Sequence, residues 1–182
     1  TYNAAISACE KGKQWEHAFE LIEAMMCMRM MPDLISYNAA IGACEKSAHA
    51  LHLLRQTRLS GMAPDSITYN AAISACERGQ EWEGALALLF EMERHLLLPD
   101  TITFSAAISA CEKSQKVELA TCLLRLMRAR TVEANVVSYN AAMLSCAGGR
   151  CWAQALELLD EMAGCLIEAD RATHGMLLVE CE

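Results

Sequence analysis

Four residue types recur in one order along the chain, and together they could grip a single-stranded polymer of flat, charged units. Ile35, Asn38, Gly42 and Lys46 follow one another at steps of three and four residues, the spacing that places side chains on one helix face. Ile67, Asn70, Ser74 and Arg78 repeat the order, as do Ile102, Ser105, Ser109 and Lys113. Asn3, Ser7 and Lys11 supply an earlier set; in a later one Val137 and Asn140 remain, while Leu144 and Gly148 replace the small and basic members. Stacked side by side, such sets form ladders. Branched aliphatics would wedge against flat bases, amides would meet base edges as both donor and acceptor, and cations would meet phosphates.

Ladders require the elements beneath them to repeat, and they do. The segment Tyr2-Asn3-Ala4-Ala5-Ile6-Ser7-Ala8-Cys9-Glu10-Lys11 returns from Tyr37, Tyr69 and Phe104, then in degraded form from Tyr139 and faintly from His174, at intervals of 35, 32, 35, 35 and 35 residues. Tyr37, Ile41 and Cys44 stand at i, i+4 and i+7, which predicts a helix with one apolar face. A second helix follows in each copy. Trp15, Trp82 and Trp152 share one place in it, with Val117 standing in for Trp in the fourth copy. Ala18, Ala50, Ala85, Ala120 and Ala155 come next, then paired apolar residues such as Leu88-Leu89, then Met25, Met92, Met127 and Met162, with Thr57 as the exception. The Tyr, Trp and Met series are expected in the core.

Pro32-Asp33, Pro64-Asp65 and Pro99-Asp100, later Ala134-Asn135 and Ala169-Asp170, separate the copies. Proline stops the preceding helix, and Asp or Asn suits the N-cap of the next. The expected units are residues 1–33, 34–65, 66–100, 101–135 and 136–170, with a partial sixth at 171–182. The second is three residues short between Lys46 and Ala50, a loss that falls in the turn and the first part of its second helix. Because one helical hairpin cannot bury both faces, the units must stack into an all-α solenoid.

Composition narrows the classes. The 182 residues are 54% hydrophobic, too apolar for a disordered chain, yet no apolar run approaches the roughly 18 residues of a membrane span. The formal charge is −8, so the chain is not basic overall, and any grip on a polyanion must be local: Lys11, Lys46, Arg78 and Lys113. Each of these sits beside an acid: Glu10, Glu45, Glu77 or Glu112. That acidity favours the rival class, a helical-repeat scaffold for protein partners, although a scaffold has no reason to repeat Asn so strictly.

The chain resembles the pentatricopeptide repeat family. The resemblance rests on Ser36-Tyr37-Asn38, on the Ala and paired Leu of the second helix, on Met92 and on the terminal Pro-Asp, and it runs the whole length. The family's Gly three residues before Pro-Asp occurs only as Gly61; Arg29, Leu96, Thr131 and Leu166 take its place elsewhere. The resemblance implies a right-handed α-solenoid superhelix of stacked helix-turn-helix repeats. It also implies binding of single-stranded RNA at one base per repeat, read chiefly by the residue after the Tyr and the last residue of the unit. Those pairs are Asn3 with Asp33, Asn38 with Asp65, Asn70 with Asp100, Ser105 with Asn135, and Asn140 with Asp170. In the family's code Asn with Asp favours uracil and Ser with Asn favours adenine, giving the tract U-U-U-A-U from 5′ to 3′. Ile35, Ile67, Ile102 and Val137 would then wedge between bases, and an organellar setting, chloroplast or mitochondrion, would follow, with a role in transcript processing, stabilisation or translation.

No catalytic constellation is expected. The sequence has no phosphate-binding Gly loop and no deaminase signature, and no Cys-x-x-Cys indicates zinc; no cofactor, metal or membrane role is expected. Cys9, Cys44, Cys76, Cys111, Cys146 and Cys181 share one repeat position and read as small buried hydrophobes. His49 and His52 could share a helix face without further obvious ligands. The sequence starts at Thr1, inside the first helix of one unit, and ends inside that of another, so further repeats or domains are expected outside it.

Overall fold

A computed structural model describes residues 2–170 and 173. The expected partial sixth unit, with His174 and Cys181, lies outside the described residues apart from Thr173. Ten helices and no strand are present among them: α1 (Tyr2–Gly12), α2 (Trp15–Cys27), α3 (Leu34–Ala43), α4 (Ser47–Leu59), α5 (Ser66–Arg78), α6 (Trp82–Arg94), α7 (Thr101–Lys113), α8 (Val117–Ala129), α9 (Val136–Gly148) and α10 (Trp152–Gly164). The chain divides into two compact units, Thr1–Pro99 and Asp100–Glu182. In the first, α1, α3 and α5 stack on one another as a layer, and α2, α4 and α6 each pair with the first helix of their own hairpin. In the second, α7 stacks on α9, with α8 and α10 as their hairpin partners. The fold class is the all-α helical-repeat solenoid.

Small side chains allow the first helices to approach closely. Ala40, Ala43 and Cys44 in one copy, Ala72, Ala75 and Cys76 in the next, and Ala107, Ala110 and Cys111 beyond are all fully buried. Burial pushes the thiols of Cys44, Cys76 and Cys111 up to about 11, and Cys146 upward as well, so these sulfurs act as apolar filler. Cys9, on the first helix of the chain, is only half-buried. The core also takes Tyr37, Tyr69, Phe104 and Tyr139, together with Met25, Met92, Met127 and Met162. Thr57 joins the methionine row without leaving an orphaned hydroxyl, because its Oγ1 donates to the Leu53 carbonyl at 2.9 Å. The tryptophans depart from expectation. Trp15, Trp82 and Trp152 are only half-buried, since each opens a second helix at the edge of the layer, and Trp15 stacks on His49 with ring centroids 3.7 Å apart.

Every hairpin among the described residues except the short α3–α4 one turns through one left-handed residue. Lys13, Gln80, Gln115 and Arg150 hold φ between 51° and 56°, and the next residue's N–H returns to the carbonyl of the cysteine row: Gln14 to Cys9, Glu81 to Cys76, Lys116 to Cys111 and Cys151 to Cys146, at 2.8–2.9 Å. The second helices end in the same way, with Arg29, Gly61, Leu96, Thr131 and Leu166 at positive φ. These are the positions at which only one copy carries the family's glycine. The other four place a Cβ where left-handed backbone crowds it.

The short second unit differs from expectation in where it is short. Helix α4 keeps 13 residues, whereas α3 has only 10 against the 13 of α5, α7 and α9. The missing residues therefore belong to the last turn of the first helix, while the linker to α4 is as long as those that follow α5, α7 and α9. The apolar phase of α4, with Ala50, Leu53, Leu54 and Thr57 all buried, stays intact because every one of those contacts would be lost by shifting it.

Leu96 is 91% exposed at φ 61°, so Leu96→Gly removes backbone strain without opening a cavity. Left-handed backbone costs an L-residue roughly 1–2 kcal/mol, and glycine returns about half of that as unfolded-state entropy. Urea unfolding of Leu96→Gly should show a gain of about 0.5–1 kcal/mol.

Candidate nucleic-acid interface

The strip begins with the cap of each first helix. Asp33, Asp65, Asp100 and Asn135 sit in extended backbone at the N-caps of α3, α5, α7 and α9, and each side chain accepts from the N–H of the residue three positions on: Ser36, Thr68, Thr103 and Ser138. In α5 and α7 the Thr hydroxyl also accepts from the cap's own N–H, completing a capping box. Asp170 is bonded in the same way to Thr173.

The cap side chains are also where the preceding unit's polar residue arrives. Asn3 Nδ2 donates to Asp33 at 3.0 and 3.2 Å, Asn38 Nδ2 to Asp65 at 3.3 Å, and Asn140 Nδ2 to Asp170 at 3.2 Å. Paired residues some 30 positions apart in sequence thus become side-chain neighbours. Ser105 meets Asn135 through an intermediary: its Oγ lies 2.8 Å from Ser138 Oγ, which donates to Asn135 Oδ1 at 2.9 Å. Asn70 is half-buried on α5, and Asp100 caps α7.

Hydrogen bonds keep the carboxylates ionised. The Ser36 N–H holds the Asp33 carboxyl below its ordinary value against a smaller burial effect, helped by the Ser36 hydroxyl and the Asn3 amide. At Asp65 burial is the largest single influence and pushes upward, but the Thr68 N–H and hydroxyl with the Asn38 amide outweigh it.

Three residues before Asn38, Asn70, Ser105 and Asn140, a branched apolar side chain stands in solvent. Ile35, Ile67, Ile102 and Val137 are 64, 64, 61 and 57% exposed, although apolar residues at a helix N-terminus could easily turn inward. Each compact unit thus carries its own apolar pair beside polar residues, Ile35 and Ile67 in the first and Ile102 and Val137 in the second.

The basic row is less regular than the spacing suggests. Lys11 and Lys113 are exposed at the ends of α1 and α7. Lys46 is not on α3, which stops at Ala43; it forms the N-cap position of α4, so the common face of Ile35, Asn38 and Gly42 does not extend to it. Arg78 turns back into the fold. Its guanidinium donates to the Cys44 carbonyl at 2.8 and 3.2 Å and to the Gly42 carbonyl at 3.3 Å. Elsewhere the cysteine-row carbonyl is met by the turn's own N–H; the shortened unit lacks that donor, and Arg78 of the next hairpin supplies it. The residues that sequence reasoning missed are the hydroxyls Ser36, Thr68, Thr103, Ser138 and Thr173. Their signal was a Ser or Thr before the first-helix aromatic, or before His174 in the last copy.

With this geometry in view, the similarity to known proteins is specific. A PPR repeat family model matches residues 64–113, a pentatricopeptide repeat domain model residues 1–47, and a PPR repeat model residues 102–132 and 137–165. The chain belongs to the pentatricopeptide repeat family. Among solved structures, the maize pentatricopeptide repeat protein PPR10 in complex with an 18-nt psaJ RNA element superposes with a TM-score of 0.77 at 26% identity over 96% of this chain. The chain spans only 26% of PPR10's length. The PPR domain of Arabidopsis thaliana protein-only RNase P 1, in complex with tRNA, gives 0.81 at 12% identity over 97% of both chains. Nuclear proteinaceous RNase P 2 of the same plant gives 0.80 at 12% identity, covering 97% of this chain and 40% of that one. These last two likenesses concern the fold. No curated protein sequence matches the chain.

Two outcomes follow for this pentatricopeptide array. Arg78→Met leaves the Cys44 carbonyl without its donor and should lower stability by about 1–2 kcal/mol in chemical unfolding, whereas Lys11→Met at the equivalent, exposed position of α1 should change it by less than about 0.5 kcal/mol. Asp33 and Asp65 have folded values below their unfolded ones, so their contribution is complete above the ordinary carboxyl range near pH 4 and is lost as pH falls through the lowered values. Stability should therefore decline with acid below about pH 4, and less steeply in Asp65→Asn, measured by urea midpoints across pH.

Proposed function

We propose that the chain binds single-stranded RNA with one base per repeat, and that its role is recognition rather than catalysis. The observation that carries this reading recurs in each compact unit: exposed Ile35 and Ile67 in the first and Ile102 and Val137 in the second, and beside them polar pairs bonded between neighbouring hairpins of the same unit. An apolar wedge and an oriented hydrogen-bonding group at each rung suit a stacked, single-stranded base. The RNA-bound state of PPR10 supports the same reading.

The base-reading pairs are Asn3/Asp33, Asn38/Asp65, Asn70/Asp100, Ser105/Asn135 and Asn140/Asp170, the repeats run as 1–33, 34–65, 66–100, 101–135 and 136–170, and the tract is U-U-U-A-U. An amide can donate to a uracil carbonyl and accept from its N3–H, which gives the Asn units their preference. Lys11, Lys46 and Lys113 contact phosphate, and Arg78 does so only as far as its bond to the α3 carbonyls allows. The setting is a chloroplast or mitochondrial transcript, in processing, stabilisation or translation.

Binding of the 182-residue chain to U-U-U-A-U should exceed binding to the same RNA with the adenine replaced, and poly-U should be preferred to poly-C. With three or four phosphate contacts on a single strand, the log–log salt slope should lie between about −2 and −3. A slope near zero, or equal affinity for poly-C, would overturn the reading in favour of a protein-binding scaffold.

A further inference from the structure

We infer that each reading site has a third member, the hydroxyl residue that precedes the first-helix aromatic: Ser36, Thr68 and Ser138, and by the same bonds Thr173. This inference rests on the RNA-binding reading above and deepens it. Ser36 Oγ lies 2.7 Å from Asn3 Oδ1, Thr68 Oγ1 2.6 Å from Asn38 Oδ1 and Thr173 Oγ1 2.7 Å from Asn140 Oδ1. A capping residue needs none of these bonds. Capping is already complete in the contacts to the Asp carboxylates, so the bond to the preceding unit's amide is additional.

Its effect is to fix which end of the amide faces which way. A carboxylate has no proton, so the amide must turn Nδ2 toward it. The hydroxyl then faces Oδ1 with its one proton shared between that oxygen and the carboxylate, which lies 2.8, 2.7 and 2.8 Å from the Ser36, Thr68 and Thr173 oxygens. Held at both ends, the Asn keeps one N–H and one lone pair for the ligand, in a set order. Uracil offers an N3–H flanked by carbonyl oxygens, which matches an acceptor with an adjacent donor. Cytosine has an unprotonated N3 beside an amino group and needs the reverse order. The hydroxyl is thus a positioning residue for discrimination between the two pyrimidines.

The fourth site uses the same member to reverse the polarity. Asn135 Oδ1 faces inward to the Ser138 N–H at 2.9 Å, which leaves its Nδ2 as the outward donor. Ser138 passes its single proton to Asn135 Oδ1, so Ser105, 9% exposed, must give its own proton to Ser138 and keep lone pairs for the ligand. A donor beside an acceptor matches adenine, with N1 accepting and the amino group donating. Guanine, with N1–H and O6, is opposed.

The test uses the full chain and RNAs that differ at one base of U-U-U-A-U. Thr68→Val removes the hydroxyl while keeping shape, and should lower the U-over-C ratio at the second base about fivefold, the value of one hydrogen bond, with ratios at other bases unchanged. Thr68→Ser should restore the ratio. Ser138→Ala should lower the A-over-G ratio at the fourth base, because Ser105 can then donate. A role in capping alone predicts the opposite: affinities for U and C falling together with the melting temperature, which would overturn the inference. If Thr68→Val does not fold, Ser36→Ala read at the first base decides by the same criterion. A wild-type chain that discriminates normally while both variants keep their ratios refutes the third member only; a wild-type chain with no preference for U refutes the RNA reading along with it.

Discussion

The N-cap bond at the start of each first helix ties the fold to its candidate site. A helix begins with N–H groups that no intrahelical carbonyl can meet, and a short acceptor one turn earlier satisfies one of them at about 1 kcal/mol. Asp33, Asp65 and Asn135 do this for α3, α5 and α9. The acceptor must lie at the end of the layer where successive first helices begin, and there the preceding unit's Asn or Ser projects. Placing a carboxylate to start one helix therefore places it against the polar residue of the helix before. The stacking that buries Ala40, Ala72 and their neighbours makes this reproducible, since side chains no larger than Ala and Cys leave the helices one spacing apart.

Much of this was legible in one sequence because repetition converts weak signals into strong ones. A single Pro-Asp is an ordinary turn, but three of them in phase with Tyr-Asn and paired leucines define a unit, and the periodicity of each half defines its helices. The apolar wedge row was legible for the same reason: a branched residue three positions before each Asn or Ser has no partner in the helical apolar face. The hydroxyls were overlooked because their distinctive partner is about 30 residues away, while their local partner, the cap three residues earlier, already explains them. Nothing in Ser36 or Thr68 alone points to the preceding unit.

The shortened second unit departs from its expected form for a related reason. Sequence gives the number of missing residues but not which element yields, and the turn looked weaker than a helix end. The deciding quantity is burial. Shifting α4 would expose Ala50, Leu53, Leu54 and Thr57, whereas cutting α3 by a turn leaves only carbonyls to satisfy, and Arg78 of the next hairpin can reach them. A residue that spacing assigned to a ligand-facing row thereby acquires a duty inside the fold. The left-handed positions show a comparable blindness: Arg29, Leu96, Thr131 and Leu166 carry no sign of positive φ in their own chemistry, and only alignment with Gly61 reveals it.

Net charge is a poor guide to what such a surface attracts, because most of the acids lie away from the capping residues and the amides they meet. The first helices are formally neutral: Glu10 balances Lys11 in α1, Glu77 balances Arg78 in α5, Glu112 balances Lys113 in α7, and α3 and α9 carry no charged side chain. The second helices hold the excess. Helix α2 has Glu16, Glu20 and Glu23, and α10 has Glu157, Asp160 and Glu161, with no Lys or Arg in either. Two cations of this layer are also committed to acids, Arg58 to Glu91 at 2.7 Å and Arg128 to Glu161. A helix is about 10 Å across, while the screening length at physiological salt is about 8 Å, so charges on the second helices act weakly at the strip. The anions that do lie on it are the capping carboxylates, and each faces the positive end of a helix, which offsets part of its field. A chain with a formal charge of −8 can therefore present faces whose local potential is set by Lys11 in the first compact unit and Lys113 in the second, each against the caps of its own unit. On the RNA-binding proposal, attraction for phosphate is correspondingly modest, and base stacking and edge contacts carry more of the selectivity than charge does.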